Sequence, residues 1–363
     1  MNLSQILKSI RPLHAPSMKK ARLRQTQLTK PLNSLGLLES IAIQVAGITR
    51  SEIPVLGKKR VLLCAADHGV AAEGVSAYPA SVTPMMVLNF LNGGGAINAL
   101  SRQAGAEVRV VDVGVNADLP SHPQLLKSKI RRGTRNFHHE PAMTPDEREK
   151  ALALGVSLAD RARKDKVRWI ALGEMGIGNS ASAAALMASL LPCAVKDVTG
   201  FGTGIDRAQW RAKCEIISSA LRRYHLNPTQ PLKALDTVGG LEIVVLTGII
   251  LGGAKNRIPV VVDGFITSAA FLAAYRLAPR VRDYCFFSHR SEEPGHTQFF
   301  ERLKIEPLLS LKMRLGEGSG AALALPLLEA AIRIHREMAT FSSAQVPTRL
   351  KKKKTNPRVS SPR

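Results

Sequence analysis

The feature that most restricts how this chain can fold is a repeated alternation. A short apolar run ends on a polar residue, a turn with glycine follows, and then comes a stretch with helical spacing. Residues 61–67 show it best: Val61-Leu-Leu-Cys-Ala-Ala-Asp67, then His68-Gly69. An unbroken apolar run of this length is the mark of a strand buried on both faces of a parallel sheet. The pattern recurs at residues 107–112, 169–174, 195–198, 258–263 and 284–288, with helical stretches such as 37–47, 84–91, 145–163, 209–225, 241–251 and 321–338 between. Strands alternating with helices predict an α/β fold around a mostly parallel, six-stranded sheet flanked by helices. In such sheets ligands sit outside the carboxyl ends of the strands. The polar residues at those ends, Asp67, Asp112, Glu174, Asp263 and His289, therefore point to a pocket edged by acids.

The stretch Met313-Arg-Leu-Gly-Glu-Gly-Ser-Gly-Ala-Ala-Leu-Ala-Leu-Pro326 is the most suggestive chemically. It sets one carboxylate, Glu317, among Gly316, Gly318 and Gly320. Glycine lets a backbone approach a ligand closely, and burial makes a carboxylate hold its proton longer. Together these make a general base that works near neutral pH. The plainer alternative is a helix start, with Glu317 favoured by the helix dipole and Ser319 as cap. The turns Gly176/Gly178, Gly200/Gly202/Gly204 and Gly316/Gly318/Gly320 suit an anion held by backbone N–H groups. Lys213, in the helix after the second turn, extends that reading to a phosphorylated sugar or nucleotide. It would otherwise be an ordinary exposed helix lysine. No metal-ligand spacing joins His68, His138, His139, His289 and His296, and the His138-His139 pair reads as solvent-facing. No metal and no cofactor are expected.

Composition excludes some classes. The 363 residues are 45% hydrophobic and 22% charged, a globular profile, and with 4% aromatics the core must be aliphatic. The longest apolar run, residues 243–254, is too short for a bilayer, so no membrane partner is expected. Cys64, Cys193, Cys214 and Cys285 are scattered and read as buried free thiols in a reducing, cytoplasmic setting. The formal charge of +23 gathers at the ends: residues 1–30 and the tail 347–363 carry bases and no acid. That tail could bind nucleic acid, but no aromatics are interleaved for stacking. It reads as a solvated, disordered extension, and no nucleic-acid partner is expected.

Several stretches together resemble one family, the nicotinate-nucleotide:dimethylbenzimidazole phosphoribosyltransferases of cobalamin biosynthesis. They are Lys30-Pro-Leu-Asn-Ser-Leu-Gly36, Ala66-Asp-His-Gly-Val70, Val111-Asp-Val-Gly114, Gly173-Glu-Met-Gly-Ile-Gly-Asn179, Val238-Gly-Gly240, Asp263-Gly-Phe265, Ser288-His289 and Arg314-Leu-Gly-Glu-Gly-Ser-Gly-Ala321. They run through residues 28–341 in the family's order. The resemblance implies transfer of phosphoribose from nicotinate mononucleotide to 5,6-dimethylbenzimidazole, with inversion at the anomeric carbon. Products are α-ribazole 5′-phosphate and nicotinate. It implies catalytic roles for Glu317, as base, and Glu174, near the ribose. Gly176, Gly178, Asn179, Gly202, Thr203, Gly204, Lys213 and Asp263 fall where the family holds the nucleotide, and Tyr78, Met175 and Leu315 where it holds the flat base.

The same resemblance implies a Rossmann-like large domain, residues 29–328. A small helical domain is formed by residues 1–28 and 329–346, and the chain is a homodimer. Asn33, Leu37 and Phe201 depart from the residues common in the family. A transferase using phosphoribosyl pyrophosphate would want paired acids after a strand to hold Mg²⁺, and Val260-Val-Val-Asp263-Gly264 supplies one acid.

Overall fold

Five of the six strands that the alternation predicts come together in a single sheet, joined by one it does not predict. The structure, a computed structural model, describes residues 2–347; the basic tail from residue 348 onward lies outside the described residues. The strands are β1 (Lys58–Ala66), β2 (Ala106–Gly114), β3 (Leu125–Lys127), β4 (Val167–Met175), β5 (Val260–Val262) and β6 (Cys285–Phe287). All pair in parallel, in the order β3-β2-β1-β4-β5-β6. The winding reverses between β1 and β4, so the sheet is doubly wound, with a crevice where its carboxyl ends diverge.

Helices cover both faces. They are α1 (Leu3–Ser9), α2 (Ala15–Gln27), α3 (Leu37–Thr49), α4 (Val82–Leu91), α5 (Ala96–Ala104), α6 (Pro145–Lys164) and α7 (Asn179–Leu190) in the first half. After them come α8 (Val195–Val198), α9 (Arg207–Tyr224), α10 (Pro231–Val238), α11 (Leu241–Asn256), α12 (Phe265–Leu277), α13 (Pro294–Leu303) and α14 (Ser319–Glu337).

The sheet has the expected size for a partly different reason. Residues 195–198, read as a strand, form the short helix α8. Val195 and Val198 are three apart, which puts both on one helical face, while Lys196 and Asp197 are exposed. The missing strand is β3, a three-residue edge strand paired only with β2. An edge position demands little apolar length, so the sequence carries little signal there. α10 and α13 also went unread, although each has proline in its first turn. Of the cysteines, Cys64 and Cys285 are buried; Cys193 and Cys214 are only half-buried.

The two chain ends meet. Arg24 donates to the carbonyls of His335 (2.6 Å) and Arg336 (3.0 Å), and Leu28 pairs with Thr340 in an antiparallel bridge. The boundary expected at residue 328 falls inside α14, which runs unbroken through Pro326. No helix among the described residues is long and apolar enough to cross a membrane.

The long helix α11 is buried from Leu241 to Ala254, as a helix hydrophobic on every side must be. It packs on α6 at a close crossing. A Cβ at Gly155 of α6 would run into the Val245 carbonyl and the Ile249 and Gly248 backbone. Helix propensity alone favours alanine over glycine by about 1 kcal/mol. Overpacking a tight crossing costs ~1–3 kcal/mol, and backbone atoms cannot step aside as a side chain can. Gly155→Ala is therefore expected to lower stability on balance, read as a lower urea midpoint at unchanged slope. A midpoint equal to or above that of the parent would contradict the close crossing.

Candidate active site

A pocket of about 510 Å³ opens beyond the carboxyl ends of β4, β5 and β6. Glu174, Met175, Gly176, Gly178, Asn179, Gly202, Thr203, Tyr78, Leu315 and Glu317 all line it, although they are drawn from distant parts of the chain. Of the other residues singled out from sequence, Gly204 faces an adjoining cleft, while Lys213 and Asp263 stand behind the walls. Thr203 ties the rim together: its Oγ1 lies 3.1 Å from Ser76 Oγ and accepts the Ala77 N–H at 2.9 Å.

Glu317 owes its position to backbone geometry. Gly316, Glu317 and Gly318 all have positive φ, at 84°, 64° and 88°. For glycine this is free; for glutamate it is strained. A Cβ at Gly316 would strike the Glu174 carboxyl, and one at Gly318 would lie 2.9 Å from the Leu172 carbonyl. Only the middle residue of the three can carry a side chain, and that side chain faces the pocket. The Glu317 Oε2 is buried with no hydrogen-bond partner. Burial raises its pKa above the ordinary carboxylate range, opposed by the backbone at Ile97 in the first turn of α5.

Two further carboxyls hold this turn from below. Glu174, at the end of β4, accepts from Asn179 Nδ2 at 2.6 Å and, at a long 3.4 Å, from the Glu317 N–H. Burial, reinforced by the nearby Asp263 charge, pushes Glu174 up to about 8. Asp263, just past β5, accepts from the N–H groups of Gly318 (3.2 Å) and Ala321 (2.8 Å). Burial pushes it up to about 7, against the pull of those N–H groups. Asp263 thus serves as the N-terminal cap of α14, whose own cap residue, Gly318, has no side chain to offer.

The expectation of a pocket edged by five polar strand ends needs correcting. Glu174 and His289 line the pocket. Asp67 instead accepts the Asn116 N–H (2.7 Å), Asp112 accepts the Val115 N–H (3.0 Å) and pairs with Lys129, and Asp263 caps a helix. These acids tie down neighbouring loops, because a carboxylate is a ready acceptor for backbone N–H groups left free at a strand end.

Lys213 is not an exposed helix lysine: it is 1% exposed, on the inner face of α9. Its Nζ donates to Ser180 Oγ at 2.9 Å, and Ser180 lines the pocket. Burial lowers it to about 8, opposed by the charge of Glu293.

Glu293, Ser291 and Arg314 also line the pocket and were not foreseen as site residues. Glu293 is half-buried, and its Oε2 is buried with no hydrogen-bond partner. A signal existed. Glu293 occupies the N-cap position of α13, where glutamate caps poorly and bonds no N–H. His289, neutral because burial lowers it to about 4, sits across the pocket. Away from the pocket, the His138-His139 pair is not simply solvent-facing. His138 is half-buried and both rings lie against Glu73.

A crevice at the carboxyl edge of a doubly wound sheet, closed by carboxyls and glycine turns, has the shape and polarity to hold a small polar molecule. Comparison with known proteins narrows this. The profile of the family described as phosphoribosyltransferase matches residues 10–346. A nicotinate-nucleotide–dimethylbenzimidazole phosphoribosyltransferase of Chloroflexus aggregans is 51% identical over 344 residues, 95% of this chain and 98% of that protein. Its namesake in Geobacter sp. strain M21 is 48% identical over 344 residues, 95% and 99% of the two chains. The crystal structure of the enzyme of that name from Thermus thermophilus superposes with a TM-score of 0.87 at 47% identity, covering 93% of this chain and 100% of that one. The chain belongs to this phosphoribosyltransferase family.

The raised carboxyls give stability a direction with pH. Unfolded, Glu174 and Asp263 titrate near their ordinary values of about 4.3 and 3.9; folded, they hold their protons to about 8 and 7. Between those limits the folded state binds more protons than the unfolded one, so their contribution is full below about pH 4 and lost as pH rises to about 8. The contribution of these two carboxyls to the denaturation midpoint of the ligand-free protein should therefore fall from about pH 5 to about pH 8. The buried His289, His296 and His335, whose pKa is lowered, act the other way below about pH 6.5. Glu174→Gln, neutral throughout, should show a shallower fall. Parallel profiles for the two proteins would show that Glu174 is charged in the folded state.

Proposed function

We propose that this phosphoribosyltransferase moves phosphoribose from nicotinate mononucleotide to 5,6-dimethylbenzimidazole, releasing α-ribazole 5′-phosphate and nicotinate. The observation that carries the reading is the Gly316-Glu317-Gly318 turn, which sets the Glu317 carboxyl in the pocket wall with its buried Oε2 free of hydrogen-bond partners. The names of relatives sharing about half of their sequence with nearly the whole chain agree with it.

In this reading Glu317 accepts the N–H proton of the benzimidazole. The opposite ring nitrogen then donates its lone pair to the anomeric carbon. The bond from that carbon to the pyridinium nitrogen breaks, its electrons stay with the nitrogen, and nicotinate leaves with a neutral ring. Attack on the face opposite nicotinate inverts the anomeric centre. The raised pKa of Glu317 suits the task, since a base acts best when its pKa is near the working pH. Glu174, still protonated at neutral pH, can donate to a ribose hydroxyl while Asn179 holds its other oxygen. The phosphate is assigned to the N–H groups around Gly176–Gly178 and Gly202–Gly204, with the Ser180 hydroxyl directed by Lys213. Tyr78, Met175 and Leu315 supply flat apolar contact for the base. A pyrophosphate–metal reading is less well supported, because both oxygens of Asp263 already accept backbone N–H groups.

The finer points of organisation belong to the same proposal. Residues 1–28 and 329–346 act as one small domain, supported by the Arg24 contacts and the Leu28–Thr340 bridge. The chain works as a homodimer, supported by an apolar groove of Leu100, Leu309, Leu311, Leu323 and Leu327 on the surface. Free cysteines suit a cytoplasmic setting.

Purified protein with both substrates and EDTA should form α-ribazole 5′-phosphate; folded protein yielding none would refute the assignment. Glu317→Gln should fold and bind both substrates but turn over ~10²–10⁴-fold more slowly. A merely structural Glu317 predicts the reverse, a lower thermal midpoint with near-normal turnover per folded molecule. Lys213→Ala should weaken nicotinate mononucleotide binding by ~1.5–3 kcal/mol, the worth of a charge-assisted contact. Calorimetry giving an unchanged dissociation constant would remove Lys213 from the site.

A further inference from the structure

Outside the pocket, one cluster has the chemistry of a site. Glu73 ends the 3₁₀ turn Gly69–Glu73 that follows β1, and His138-His139 lie more than sixty residues on. The fold brings one ligand atom of each within 4.8 Å of the others. His139 Nε2 is 3.1 Å from Glu73 Oε1, and His138 Nδ1 is 3.2 Å from Glu73 Oε2. The two imidazoles, stacked with centroids 4.8 Å apart, thus address different oxygens of one carboxylate.

The His138 contact lacks the geometry of a hydrogen bond, and its Nδ1 is buried with no hydrogen-bond partner. A buried imidazole nitrogen that faces a carboxylate oxygen without hydrogen-bond geometry makes a contact that a cation between the two would complete. The surroundings also hold the groups in place. Asn136 donates from Nδ2 to Glu73 Oε1 at 2.6 Å and accepts the His138 N–H at 3.0 Å. Arg223 donates to the carbonyls of His138 (2.5 Å) and His139 (3.3 Å), which pins the backbone of the pair. Orientation of this kind, around ligands rather than by them, is what supports a metal centre.

We propose that Glu73, His138 and His139 bind a divalent transition-metal ion, with zinc the best match. Two imidazoles and a carboxylate are a common zinc set, with the fourth position left to water. Imidazole nitrogen disfavours magnesium and calcium, which take oxygen. The two nitrogens lie 3.1–3.2 Å from different oxygens of Glu73, and one ligand atom of each residue lies within 4.8 Å of the others, so small side-chain shifts would bring them to ligand bonds of about 2.0–2.2 Å around one ion. The bound ion would clamp the segment after β1, which carries Ser76 and Tyr78 to the pocket rim, onto the loop holding Asn136.

The test uses tag-free, full-length protein stripped with EDTA and desalted. Zinc chloride is titrated by calorimetry and the thermal midpoint is read with and without zinc. A single zinc ion per chain with micromolar affinity is expected, together with a higher midpoint. His139→Gln, at an exposed position that should not disturb folding, should weaken binding about tenfold or more. The His138→Gln/His139→Gln double variant should lose both the heat and the midpoint shift. Magnesium chloride should give neither. A plain ion-pair cluster would give no zinc response in the parent protein, and equal affinity in parent and variants would place the ion elsewhere. Either result overturns the proposal.

Discussion

The carboxylate of Asp263 at the start of α14 is the interaction on which the site depends. It leaves the end of β5 and accepts N–H groups of Gly318 and Ala321. A helix end buried without such acceptors leaves donors unpaired, at roughly 1–3 kcal/mol each. Because α14 takes its cap from the sheet and not from its own sequence, its first turn is fixed relative to β5. The Gly316–Gly318 turn is thereby set over the end of β4, where Glu174 meets it. Burial alone would keep Asp263 neutral and the N–H groups would keep it charged. A value of about 7, raised from the ordinary aspartate range, records that burial outweighs those N–H groups.

The same electrostatic reasoning bears on the proposal that a pocket with so many acids takes an anionic ligand. Glu174, pushed by burial to about 8, is mostly neutral near neutral pH, and burial moves Glu293 and Glu317 in the same direction. Lys213, lowered only to about 8, remains mostly charged. The nearby Glu293 is itself pushed by burial toward its neutral form, and a buried ammonium is costly to hold without a counter-charge. A phosphate arriving at Ser180 would supply one, and would raise the Lys213 pKa as it bound.

The sheet was legible in the sequence because strands buried on both faces must be apolar throughout, and β1, β2, β4, β5 and β6 obey that rule over most of their length. Where the rule does not bind, the reading failed: β3 sits at an edge, and the valines of α8 are too few to separate strand from helix. Glu317 and the glycine turns were legible because their chemistry depends on local backbone geometry. Lys213 was legible as a candidate but not in its burial, which is decided by packing of α9 on α7. Glu293 and the Glu73–His138–His139 cluster depend on contacts between segments far apart in sequence, and no local pattern encodes those.

The order glycine, glutamate, glycine has a physical reason beyond flexibility. Left-handed backbone costs a non-glycine residue about 1–2 kcal/mol, so Glu317 holds a conformation it would not choose in isolation. The turn could be relaxed only by removing the side chain, since the outer positions are closed to any Cβ by Glu174 and Leu172. Glycine in the middle would relieve the strain and lose the carboxyl. Strain of this size persists only where the surrounding contacts over-determine it. Here they do: Asp263 holds the Gly318 N–H, Gly316 accepts the Ser319 N–H at 3.0 Å, and Glu174 receives the N–H of Glu317 itself. The carboxyl is held by its backbone while its Oε2 keeps no hydrogen-bond partner, and the role of base proposed for it needs both: a fixed position, and an acceptor free to take a proton.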